Sequence, residues 1–180
     1  MNMLFADHKE RILQELDYVL SGVSEETVQS VVQAISGASR VFVGGVGRSG
    51  LVMRCFAMRL MHLDREVHVL GDTTTPAAAD GDLVIIGSGS GRTPSLVARA
   101  EKARVLGCRI VLITGAQESP LRRLAHQVIE VPISDLISHQ PLGNLFEQAM
   151  LLTCEIIIMK LMDGLGITQG EMFRRHANIE

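Results

Sequence analysis

A chain of 180 residues and 19.6 kDa provides for one domain with a full hydrophobic core and has no room for two of ordinary size. Hydrophobic residues make up 47% but aromatic ones only 3%, and the net charge is −3, which argues against a base-stacking nucleic-acid platform and against bulk attraction to polyanions. Of the 17 basic residues only Lys9, Lys102 and Lys160 are lysines, an arginine bias that suits fork-like recognition of phosphate or carboxylate and that genome composition alone also produces.

Over residues 3–20, Leu4, Ile12, Leu13, Leu16, Val19 and Leu20 recur at helical spacing and predict an amphipathic helix. A second helix follows, with Ser24 as cap, Glu25 and Glu26 in the first turn, Val28, Val31, Val32 and Ile35 as its stripe and Gly37 as its stop. Five short apolar runs then read as strands: 41–43, 67–70, 83–86, 110–113 and 128–131. The first, third and fourth are almost wholly apolar, as in strands buried on both faces of a parallel sheet. Helical stretches over 49–63, 94–106 and 120–125 alternate with them, which predicts a doubly wound α/β domain with its ligand outside the carboxyl ends of the strands.

A last helix, 144–162, is apolar nearly all round, which predicts burial on more than one side and subunit packing. The longest irregular stretch is 132–143. Cys55, Cys108 and Cys154 are odd in number, widely spaced and set among apolar residues, as expected of reduced, buried thiols in a cytoplasmic protein. The first residues, MNMLFADHKERI, carry charges where an export signal needs an apolar run, and Glu155 and Lys160 interrupt the most apolar stretch; neither an export signal nor a membrane span is expected.

Two strands end in glycine-rich loops: Gly44-Gly45-Val46-Gly47-Arg48-Ser49-Gly50 and Ser88-Gly89-Ser90-Gly91-Arg92-Thr93. The first contains G-x-G-x-x-G, with Asp72 beyond the second strand, a fair dinucleotide-binding match. A Walker A loop is excluded, because Leu51 and Val52 stand where Lys and Ser/Thr are required, and no G-x-S-x-G surrounds Ser49, Ser88 or Ser90. The second loop offers three hydroxyls, Ser88, Ser90 and Thr93, on a turn leading into a helix that begins near Pro94. Glycines, outward amides and the helix dipole there favour a phosphate monoester. Capping accounts for Thr93 on its own, but not for two further hydroxyls after a buried strand.

The paired loops resemble those of the sugar isomerase (SIS) domain family. The segment 140–148 (Gln-Pro-Leu-Gly-Asn-Leu-Phe-Glu-Gln), the Arg59-Leu60-Met61-His62-Leu63 segment and the ending Arg175-His176-Ala177-Asn178-Ile179-Glu180 resemble the 6-phospho-3-hexuloisomerase branch of that family. Val46 and Asp64 depart from its pattern, which has Ala and Gly there. The resemblance implies one SIS domain over 1–180 and a flavodoxin-like five-stranded parallel sheet in order 2-1-3-4-5. It also implies a homotetramer with sites near subunit boundaries and conversion of D-arabino-hex-3-ulose 6-phosphate to D-fructose 6-phosphate, a ketose–ketose isomerisation of carbohydrate metabolism.

That chemistry needs no metal and no nicotinamide, and no His or Cys pair has zinc-ligand spacing, so no cofactor is expected. Proton transfer through a 2,3-enediol needs one base positioned between two carbons. Local sequence reads Asn144 to Glu147 as a capping box, whereas the matched motif makes Glu147 the base. By the same resemblance His176 handles the oxygen-bound protons through subunit contact, although beside Arg174 and Arg175 it also reads as a tail residue. Gly47, Arg48, Ser49, Gly89 and Gly91 join the three hydroxyls around the sugar phosphate. Arg59 and His62 share a helix face toward the site, or His62 is a packed core histidine. Arg92 reads equally as a solvated charge. The alternatives are an isomerase of arabinose 5-phosphate or sedoheptulose 7-phosphate, a non-catalytic phosphosugar-binding protein, and a dinucleotide-binding protein; no nucleic-acid or membrane partner is expected.

Overall fold

A computed structural model describes residues 4–133 and 136–179; residues 1–3, the Ser134-Asp135 pair of the long loop and Glu180 lie outside them. The five strands form one parallel sheet: β1 (Val41–Gly44), β2 (Val67–Val69), β3 (Leu83–Gly87), β4 (Arg109–Thr114) and β5 (Gln127–Glu130), in order β2-β1-β3-β4-β5. This is the order that the resemblance implied. The central strands β1, β3 and β4 are buried on both faces apart from Arg109, as their unbroken apolar runs predict.

Side chains alternate between two cores. Val41, Val43, Leu83, Ile85, Val111 and Ile113 face a core shared with α2 (Glu25–Gly37), α3 (Gly47–His62) and α6 (Asn144–Leu165), which α1 (Phe5–Ser21) completes through Val19. Phe42, Val84, Ile86, Ile110 and Leu112 face the other core, covered by α4 (Pro94–Val105) and α5 (Pro120–Leu124). A short helix α7 (Gln169–Phe173), which the sequence pattern did not predict, opens with the reciprocal capping pair Thr168 and Glu171.

Ser24 caps α2 as expected, accepting from the Thr27 amide. Cys108 and Cys154 are buried as expected, whereas Cys55 of α3 is exposed, because its apolar sequence neighbours fall on other sides of the helix. Helix α6 buries only one face, on which Leu145, Phe146, Ala149, Met150, Cys154, Ile157, Ile158 and Leu161 lie; Leu152, Ile156 and Met159 stay exposed. Among the described residues Asp64 is the non-glycine residue at positive φ (64°), at the position where the resemblance leads to an expected glycine.

The turn from β1 into α3 depends on contact without side chains: a Cβ on Gly45 would stand 2.9 Å from backbone atoms of Ser49 and Gly50. Since neither partner is a side chain that can swing away, Gly45→Ala is expected to lower stability by about 1–3 kcal/mol, read from the urea unfolding midpoint.

Candidate active site

Strands β1 and β3 are neighbours, so their two loops stand side by side at the carboxyl end of the sheet. Gly47 enters α3 at φ 62°, which places Arg48, exposed, and Ser49, half-buried, in the first helical turn.

After β3, Ser88 is buried and its amide donates to the Ile113 carbonyl at 3.0 Å. The Ser88 hydroxyl accepts from the Gly91 amide at 3.2 Å and the Ser90 hydroxyl from the Arg92 amide at 3.3 Å. A hydroxyl has one proton and two lone pairs, so each oxygen, oriented by the backbone, keeps its proton for another acceptor. From behind, the Gly89 carbonyl accepts from the Thr114 hydroxyl and the Gly115 amide, both at 3.2 Å, and the Gly91 carbonyl accepts from the Leu121 amide at 3.2 Å. Gly91 has φ 61°, and a Cβ there would fall 2.2 Å from Ser119 Oγ. Thr93 holds the N-cap position of α4, with Pro94 next, yet its hydroxyl makes no capping bond. Capping therefore does not occupy that hydroxyl. Arg92 is exposed and donates to the Glu118 carbonyl at 3.0 Å.

The start of α6 completes this end. The Phe146 ring lies so close to Gly89 that a Cβ there would be 3.1 Å from it. The next residue, Glu147, has a side chain only 14% exposed and pairs with Arg48 Nε. The capping box expected at Asn144 does not form. Gly143, at φ 80°, takes the cap position, Asn144 is already helical, and the Glu147 carboxylate faces Arg48 instead of the helix cap. Arg48, Ser49, the 88–93 loop and Glu147 thus meet where α3 and α4 begin, an end that favours anions.

Arg59, His62 and His176 gather elsewhere. His62 lies about 21 Å along α3 from Arg48, at about 1.5 Å per residue. It is buried and stacks on His176 with ring centroids 5.6 Å apart; His176 also lies against Phe173. With Arg59, Glu155 and Met159 they line a cleft of about 390 Å³. Within one chain this cluster does not share a cleft with Glu147. Unanticipated from the sequence is Glu15, a buried carboxylate on the apolar stripe of α1; its place between Ile12 and Val19 is the signal that marks it.

The SIS domain model matches residues 34–158. The chain belongs to the SIS domain family. Among relatives of this SIS chain, a 3-hexulose-6-phosphate isomerase of Bacillus subtilis is 39% identical, covering 99% of this chain and 100% of the relative. One of Mycobacterium gastri is 44% identical over 88% of this chain and 82% of its own. The crystal structure of a hypothetical protein from Methanococcus jannaschii, from which a function of 3-hexulose-6-phosphate isomerase was inferred, superposes with a TM-score of 0.88 at 31% identity, over 97% of this chain and 99% of that one. Among the described residues no helix is long and apolar enough to cross a membrane.

Burial, with the nearby charges of Arg59 and His176, holds the His62 imidazole below its ordinary value of 6.5, and burial beside Arg104 and Arg109 does the same for His126. The unfolded chain binds the extra protons first, so stability is intact above pH 6.5 and is lost as pH falls toward the depressed folded values. Glu15 and Asp82 are held below their ordinary 4.5 and 3.8, so their contribution is lost only lower still. Urea midpoints are expected to be level from about pH 8 to 7 and to decline below about pH 6.5. His62→Phe, which keeps a ring and removes the titration, should flatten part of the decline.

Proposed function

We propose that the protein is a ketose–ketose isomerase interconverting D-arabino-hex-3-ulose 6-phosphate and D-fructose 6-phosphate. One observation carries the reading. The hydroxyl-bearing 88–93 loop adjoins the Arg48–Glu147 pair at the carboxyl ends of β1 and β3, in a chain that aligns over its length with named 3-hexulose-6-phosphate isomerases.

In the substrate C2 carries a hydrogen and a hydroxyl, and C3 is the carbonyl. Glu147 removes the C2 proton, the electron pair moves toward O3 to give the 2,3-enediol, and the same carboxyl returns a proton to C3 while the O2 proton passes to O3. C2 is oxidised and C3 reduced, with no external electron acceptor. A base so placed contributes on the order of 10²–10⁴-fold. Arg48 sets positive charge beside the oxygens that become negative. Ser88, Ser90 and Thr93, with the amides at the start of α4, hold the phosphate and so fix C2 and C3 against the base.

The unit of function is a cytoplasmic homotetramer of single-domain chains. Support comes from the exposed apolar side chains of Leu51, Met58 and Met61 on α3 and Leu152, Ile156 and Met159 on α6, which a monomer leaves in water. His176, backed by His62, then handles the oxygen-bound proton in the site of a neighbouring subunit, because Glu147 of its own chain lies at the far end of α3 and α6.

Fructose 6-phosphate is expected to isomerise to the 3-ulose, with the product identified by NMR, and arabinose 5-phosphate and sedoheptulose 7-phosphate to turn over far more slowly. Glu147→Gln should lower kcat by about 100-fold or more while fructose 6-phosphate still raises Tm; near-normal turnover would remove Glu147 from the role. Ser88→Ala should weaken fructose 6-phosphate binding by about tenfold, from loss of a hydrogen bond to a charged group. If subunits share sites, mixing inactive Glu147→Gln and His176→Ala chains should restore part of the activity.

A further inference from the structure

Glu15 lies on α1 among Ile12, Leu16 and Val19 and is only 7% exposed. Its carboxylate accepts hydrogen bonds from the Ser138 hydroxyl at 2.7 Å, the His139 amide at 2.8 Å and the Gln140 side-chain amide at 2.9 Å. All three donors are uncharged groups. A carboxylate withdrawn from water is costly unless such donors are fixed around it, whereas a leucine would continue the apolar stripe at no such cost. The stability of α1 therefore does not explain an acid at this position.

The acid holds a loop. The Ser138 hydroxyl also accepts from the Gln140 backbone amide at 3.1 Å, so residues 138–140 close around the carboxylate. Pro141 to Gly143 then lead directly into α6: the Asn144 amide donates to the Pro141 carbonyl at 3.0 Å and the Glu147 amide to the Gly143 carbonyl at 3.2 Å. A Cβ on Gly143 would stand 3.6 Å from Glu147 Oε1. The segment that Glu15 fixes is the one that delivers the Glu147 carboxylate.

We propose that Glu15 is a positioning residue for the isomerisation: by fixing residues 138–140 it aims the first turn of α6, and with it the Glu147 carboxylate, at the substrate carbons. This rests on the reading of Glu147 as the base. Burial by itself pushes the Glu15 carboxyl up, but the His139 amide, the Ser138 hydroxyl and the Gln140 amide, with the His139 charge, together hold it below its ordinary value. Glu15 is thus anionic at neutral pH, and hydrogen bonds to an anion are about twice as strong as neutral ones.

The test is steady-state isomerisation of fructose 6-phosphate by the full chain, with Tm and fructose 6-phosphate affinity measured alongside. Glu15→Leu keeps the stripe apolar and removes both acceptor oxygens, and with them all three hydrogen bonds; kcat is expected to fall about tenfold or more, with affinity within about twofold and Tm not lowered. Glu15→Gln restores one acceptor oxygen. The Gln140 side-chain oxygen is buried without a partner, so turning that amide offers it to the new NH2 group, and most of kcat should return. A structural role alone gives the opposite split, a lower Tm with kcat of the folded enzyme unchanged, and that result overturns the proposal. Should Glu15→Leu fail to fold, Ser138→Ala, which removes one donor, is expected to lower kcat by about two- to fivefold, and an unchanged kcat there overturns it equally. Wild-type protein without isomerase activity, or Glu147→Gln with full activity, would instead overturn the site reading and this proposal with it.

Discussion

Helices α3 and α6 run in the same direction along one face of the sheet and share the larger core. Met53 of α3 and Met150 of α6 meet over Gly87, where a Cβ would stand 2.8 Å from one sulfur and 2.6 Å from the other. Interdigitation that tight fixes the axial register of the two helices. A slip of one turn, about 5.4 Å, would part Arg48 from Glu147 at one end and Arg59 from Glu155 at the other. The polar groups at both ends thus take their positions from an apolar contact between them.

The 88–93 loop is built on a similar division of labour. Its carbonyls are used on the side facing β4 and α5, at Gly89 and Gly91, and the amides of Gly91 and Arg92 are used to orient two serine oxygens. What remains for a ligand is a set of hydroxyl protons already pointed by the backbone. Preorganisation of that kind lowers the ordering cost of binding a small anion, and it needs no aromatic ring, in keeping with the 3% aromatic content.

Strands and loops were legible because their signals are local. An unbroken run such as Leu83 to Ile86 has few options but a doubly buried strand, and a serine-glycine turn directly after it falls at the ligand end of a parallel sheet. The proposal of Glu147 as the base draws on family resemblance. Its local pattern reads as a cap, and that reading fails because the left-handed glycine one residue earlier takes the cap position. The separation of His62 from Arg48 is readable from helix arithmetic, whereas the stacking of His62 on His176 joins residues 114 positions apart and leaves no local signal. Glu15 was hidden for another reason: its partners lie 123 to 125 residues away, in a segment with no regular structure to predict.

Asp64 links these ends to the tail of the chain. Its left-handed backbone is one that glycine would adopt freely, but glycine has no carboxylate, and that of Asp64 pairs with Arg175 at 3.1 Å while Arg175 also reaches the His62 carbonyl at 3.5 Å. Arg175 precedes the histidine that stacks on His62. Arg175 therefore ties the segment after α7 to the end of α3. Immobilising a side chain on association costs about 0.5–1.5 kcal/mol, and at this end of the molecule the fold has already met that cost, so whatever docks there meets a surface shaped in advance.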